Sequence, residues 1–111
     1  MNMNINKISF ESQSIKVFIE TEGREVAHAF LYLIKNDLHE RPYGLMEDVF
    51  VDESLRGQGI GTELINELIK VAKENNCSKI IGTSRHERVK VHELYEKLGF
   101  NHWGKEFRMD L

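Results

Sequence analysis

Val49-Phe50-Val51 is followed, over ten residues, by Gly57, Gly59 and Gly61, and then by a helical stripe. Ahead of the glycines apolar side chains recur at every second position. Beyond them they recur every third and fourth, at Leu64, Ile65, Leu68, Ile69 and Ala72. A strand that passes through so short a turn into an amphipathic helix must lay that helix back across a sheet. All-helical and all-β architectures are thereby excluded.

The remaining pattern fills in around this unit. Ile5 to Phe10 reads as a short strand. Ser14 to Thr21 alternates through Ile15, Val17 and Ile19, a strand with one buried face. Glu22-Gly23-Arg24 is a tight turn, and Val26 to Lys35 returns as the hairpin partner. Asn36 to Pro42 is a polar loop. Tyr43 to Val51 is the next strand, with Leu45, Glu47, Val49 and Val51 on one parity. Thr62 to Asn75 is the helix after the glycines, and Lys79 to Thr83 a following strand of a βαβ unit. Arg88 to Leu98 is a second helix with Val91, Leu94, Tyr95 and Leu98 on one face, closed by Gly99. Phe107, Met109 and Leu111 alternate as a closing strand would. The expected fold is α+β, one domain over residues 1–111 with a mixed sheet.

Composition narrows the function classes. With 111 residues there is room for one core. One Cys, one Pro and eight Gly exclude a disulfide scaffold and a low-complexity chain. The formal net charge of -3 offers no basic surface for nucleic acid. The longest apolar run, Phe30 to Ile34, is far shorter than the roughly 20 residues of a membrane helix. Met1 to Asn4 lacks a signal-peptide pattern, and lone Cys77 suits a reducing compartment, so a cytoplasmic location is expected. Cys77 has no metal-spaced partner, and His86 and His92 do not form an HExxH pair, so no metal is expected.

The chemistry sits at the glycine turn. The first amides of a helix have no intrahelical acceptor, and together with the helix dipole they cradle phosphate or pyrophosphate. Arg56 adds a planar cation with bidentate reach. A P-loop needs Gly-Lys-Ser/Thr, and Gly61-Thr62-Glu63 lacks the lysine. The spacing Gly57-x-Gly59-x-Gly61 is also wrong for a dinucleotide fingerprint. Read alone, the stretch is either an anion cradle or a structural turn.

Three segments in register resemble the GCN5-related N-acetyltransferases, the GNAT family. Arg56-x-x-Gly59-x-Gly61 is similar to that family's pyrophosphate signature. Met46-Glu47-Asp48-Val49-Phe50-Val51 is similar to its central strand, and His92 to Phe100 to a later helix with its Tyr and terminal Gly-Phe. The resemblance covers roughly residues 14–111. It implies a mostly antiparallel central sheet flanked by two main helices, with a splay between the family's fourth and fifth strands. It implies acetyl-CoA as co-substrate and direct transfer to a primary amine, with small molecules as the expected substrates.

The resemblance assigns roles position by position. Val49, Phe50 and Val51 offer strand backbone to the pantetheine arm. Arg56, Gly57, Gln58, Gly59, Ile60, Gly61 and Thr62 hold the pyrophosphate. Glu47 is the expected base, and Tyr95 the acid that protonates the departing thiolate. Asp48 and His92 are expected to bind substrate. Each has a plainer alternative: Glu47 as a polar strand residue, Tyr95 as a packed core tyrosine, and His92 as a surface histidine. A β-bulge would instead present Asp48.

The sequence departs from the family on the acceptor side. Typical members insert two helices between their first two strands, whereas here Glu11-Ser12-Gln13 alone separates them. That shortage suggests a homodimer, or a non-catalytic acyl-CoA-binding module or sensor as the alternative to an enzyme.

Overall fold

A computed structural model describes residues 3–111, which divide into two compact units, one ending at Ile81 and the other spanning Gly82–Leu111. In the first unit, β1 (Gln13–Thr21) and β2 (Arg24–Ile34) form an antiparallel hairpin. Its turn residues Glu22 and Gly23 both have positive φ, 54° and 75°. That pairing matches the twist of two strands joined by a two-residue turn. β3 (Tyr43–Val51) pairs antiparallel with β2, and β4 (Ile80–Gly82) completes the order β1-β2-β3-β4. β4 enters alongside the start of β3: Ser78 N donates to Pro42 O and Gly44 N to Lys79 O, each at 2.9 Å. Partners that advance together mark a parallel pair, so the sheet is mixed.

α1 (Ile60–Glu74) packs on β2 and β3 through Leu64, Ile65, Leu68 and Ala72. Opposite them Ala27, Ala29 and Leu31 are fully buried, with Met46 close to it. Gly44 is required by space: a Cβ there would stand 2.9 Å from Leu31 Cδ1. The other sheet face carries Lys16, Phe18, His28, Phe30 and Phe50, as their register positions dictate. The second unit contains α2 (Val89–Lys97), whose Tyr95 ring meets Phe100 at 5.5 Å between centroids.

Three readings of the sequence change here. Residues 5–10 form no strand, and Ile5 and Ile8 are exposed. Phe107, Met109 and Leu111 also form no strand and are exposed. Alternation describes a strand that has a partner, and neither segment is paired with one. The third change concerns β3. Phe30 pairs with Glu47 but His28 pairs with Phe50, so Ala29 faces two residues, Asp48 and Val49. This bulge breaks the parity assumed for Leu45 to Val51. Glu47 shares a face with Leu45 and Phe50, whereas Val51, opposite buried Ala27, belongs to the α1 side.

Candidate active site

Asp48 stands at the bulge with φ 53°, a left-handed conformation seldom adopted by a residue with a side chain. The extra residue interrupts the β2–β3 ladder and re-aims the backbone on both sides of it. Glu47 and Asp48 are exposed, Val49 is half-buried, and Phe50 is 40% exposed. The sequence pairs two acidic residues in mid-strand at this point, and the bulge accommodates them in water.

β3 ends where Asp52 N donates to Val26 O at 2.8 Å. Asp52 then caps the tight helical turn Glu53–Leu55, accepting from Ser54 N at 3.3 Å and from the Ser54 hydroxyl. Those Ser54 bonds, with Arg24 nearby, hold the Asp52 carboxyl below its usual range. Arg56 folds back so that its Nε donates to Val51 O at 3.0 Å. One guanidinium nitrogen is thereby committed to fixing the strand end, and the two terminal nitrogens remain for an anion.

Gly59 caps α1 in the left-handed region, φ 82°, and Gly57 has φ 81°. A Cβ at either position would meet no neighbouring atom, so the requirement is conformational rather than one of space. The first intrahelical bond is Glu63 N to Gly59 O at 3.1 Å. The amides of Ile60, Gly61 and Thr62 precede it and point out of the helix start. Arg56, Gly57, Gln58, Gly59, Ile60, Gly61 and Thr62 thus line one turn directly after the bulged strand. The donor set suits a pyrophosphate: successive amides, a helix N-terminus and a guanidinium.

Tyr95 and His92 are one turn apart on α2 in the second unit. Burial pushes the Tyr95 phenol, already protonated at neutral pH, further above its ordinary value. His92 Nε2 lies 2.8 Å from Arg85 O, and since a carbonyl only accepts, that nitrogen carries the proton. In the same unit the Ser84 hydroxyl, which sequence reasoning passed over, is buried without a hydrogen-bond partner. A lone serine after a strand carries no sequence signal; only burial reveals it.

The Acetyltransferase (GNAT) family matches residues 4–100, a longer reach toward the N-terminus than the motifs alone suggest. A glucosamine 6-phosphate N-acetyltransferase of Trypanosoma brucei brucei is 39% identical over 98 residues, covering 86% of this chain and 65% of that protein. An enzyme of the same name from Candida albicans is 36% identical, covering 81% of this chain and 59% of the relative. The chain therefore spans less than two thirds of these relatives' length. The crystal structure of a Trypanosoma brucei acetyltransferase superposes with a TM-score of 0.80 at 34% identity, covering 88% of this chain and 69% of that one. With the family matched over residues 4–100, the chain belongs to the Acetyltransferase (GNAT) family.

Proposed function

We propose that the chain is an N-acetyltransferase that moves an acetyl group from acetyl-CoA directly to a small-molecule primary amine. The observation that carries this reading is the β3 bulge joined, through Arg56 and two left-handed glycines, to the open N-terminus of α1. Similarity to two glucosamine 6-phosphate N-acetyltransferases makes a phosphorylated amino sugar the first acceptor to try.

In this reading acetyl-CoA supplies the activated thioester. Val49, Phe50 and Val51 offer it backbone groups, while the Arg56 guanidinium and the amides of residues 57–62 hold its pyrophosphate. Gly59→Ala forces a Cβ into the left-handed region at a cost of about 1 kcal/mol. Tilting the first amides of α1 is expected to raise the acetyl-CoA Kd by about tenfold in a binding titration. An unchanged Kd would remove this turn from the binding site.

An alkylammonium has no lone pair, so a base must take a proton before attack. Glu47, exposed beside the bulge, serves as that base, and Asp48 and His92 contact the acceptor. Glu47→Gln is expected to depress kcat most at low pH, where amine deprotonation is hardest. A pH–rate profile parallel to that of the wild type would count against it. The Tyr95 phenol protonates the leaving thiolate.

The reading places the enzyme in the cytoplasm as a homodimer acting without nucleic acid or membrane. The formal net charge is -3, and among the described residues no helix is long and apolar enough to cross a membrane. Light scattering tests the dimer. Thiol release from acetyl-CoA with glucosamine 6-phosphate, polyamines, aminoalkylphosphonates and lysine peptides tests the acceptor class. Release with the amino sugar supports the assignment, and release with another class reassigns the acceptor.

A further inference from the structure

A second bulge lies in β2. Ile19 pairs with Ala27 but Glu20 pairs with Glu25, which leaves Val26 as the extra residue. Residues three apart face opposite sides of a regular strand. The bulge instead turns Glu25 to the same side as His28, away from α1, and Glu25 Oε2 lies 2.9 Å from His28 Nδ1. Lys16 of β1 binds the other carboxylate oxygen. Those two bonds, Lys16's foremost, hold the Glu25 carboxyl below its ordinary range, so it is ionised and only accepts. His28 Nδ1 therefore carries the proton, and Nε2 is the basic nitrogen.

The imidazole is set against the β3 bulge. His28 is the register partner of Phe50, the residue after the bulge, with ring centroids 5.2 Å apart. Its ring also lies 5.5 Å from that of Phe30, the partner of Glu47 on the other side of the bulge. The charged and titratable groups sharing this face are Lys16 and Glu20 from β1, Glu25 and Tyr32 from β2, and Tyr43 and Glu47 from β3.

We propose that His28, oriented by Glu25, is a second proton acceptor for the amine substrate beside Glu47. The proposal rests on the acetyl-transfer reading above. An ammonium gives up two protons on becoming an amide. The first leaves for one base and frees the lone pair, which attacks the thioester carbonyl carbon. The C–N bond forms and the carbonyl electrons move to oxygen. The second nitrogen proton then passes to His28 Nε2, and Glu25 stabilises the imidazolium through Nδ1–H. The oxyanion collapses, the C–S bond breaks, and the thiolate sulfur takes a proton. One proton is released to solvent overall. His28 touches the reacting nitrogen; Glu25 is a positioning residue.

The test compares wild type, His28→Gln, Glu25→Gln and the double variant, using acetyl-CoA with the same panel of amines. His28→Gln is expected to lower kcat about tenfold at neutral pH and leave the acetyl-CoA Kd unchanged. The deficit should shrink toward about pH 10, where hydroxide takes the second nitrogen proton in place of the imidazole. Glu25→Gln should lose less, and the double variant no more than His28→Gln alone, as expected of groups that act as one unit. A wild-type rate in His28→Gln, a deficit equal at every pH, or fully additive losses would overturn the assignment. If His28→Gln does not fold, the narrowing of the Glu25→Gln deficit with pH decides the matter in the same way. Wild type that acetylates an amine beside indifferent variants overturns the role of His28 alone. Wild type that acetylates none overturns the transfer reading and this proposal together.

Discussion

Replacing Tyr95 by Phe is expected to lower kcat by about 10²-fold, within the range a positioned proton donor contributes. The acetyl-CoA Kd should stay where it was, because the ring and its contact with Phe100 survive the loss of the hydroxyl. The phenol is neutral at working pH with or without burial, which pushes its pKa further up. The same raised value has a consequence for folding. Below the ordinary phenol value near 10 the folded and unfolded states both hold the proton. Above it the unfolded chain ionises first, so stability falls as pH rises toward the folded-state value. Tyr95→Phe should abolish that alkaline loss, as read from urea midpoints on either side of pH 10. A variant with full turnover would leave Tyr95 as a packing residue only.

The second large effect lies in the core. Leu68 is fully buried at the centre of the α1 stripe, in the unit where α1 packs on β2 and β3. Leu68→Ala removes buried methyl groups and leaves a cavity between helix and sheet, which costs about 3 kcal/mol. A small domain has only about 5–15 kcal/mol in hand, so the loss should appear as a large drop in the urea midpoint. Because α1 carries the amides of Ile60, Gly61 and Thr62, acetyl-CoA should partly restore the midpoint by binding the folded form alone. A change below about 1 kcal/mol would mean that α1 does not depend on this contact.

The sequence makes the fold legible wherever periodicity and partner agree. Ile15, Val17 and Ile19 announce β1, and β3 falls at Tyr43–Val51 as its pattern indicates. The stripe through Leu64, Leu68 and Ala72 marks α1. The bulge at Asp48 stands in the sequence reading only as an alternative, and the bulge in β2 is not legible. A single extra residue leaves the alternation through Leu45, Glu47, Val49 and Val51 intact on paper while reversing which side the chain presents in space. For the same reason the three-residue spacing of Glu25 and His28 does not reveal that they share a face. At the ends, Phe107, Met109 and Leu111 alternate without a partner, so pattern there overstates structure. The glycine turn was legible because only a left-handed backbone needs glycine at Gly57 and Gly59. The environments of Tyr95 and Ser84 depend on packing, which spacing does not encode.

The central claim is direct transfer from thioester to amine, and acetyl-labelled acetyl-CoA tests it most plainly. Incubated with the wild-type chain and glucosamine 6-phosphate, label should appear in the amide product in equal amount to the thiol released, with none retained on the protein. Label that stays on the chain, or acetyl-CoA that binds without thiol release for any amine, would contradict direct transfer.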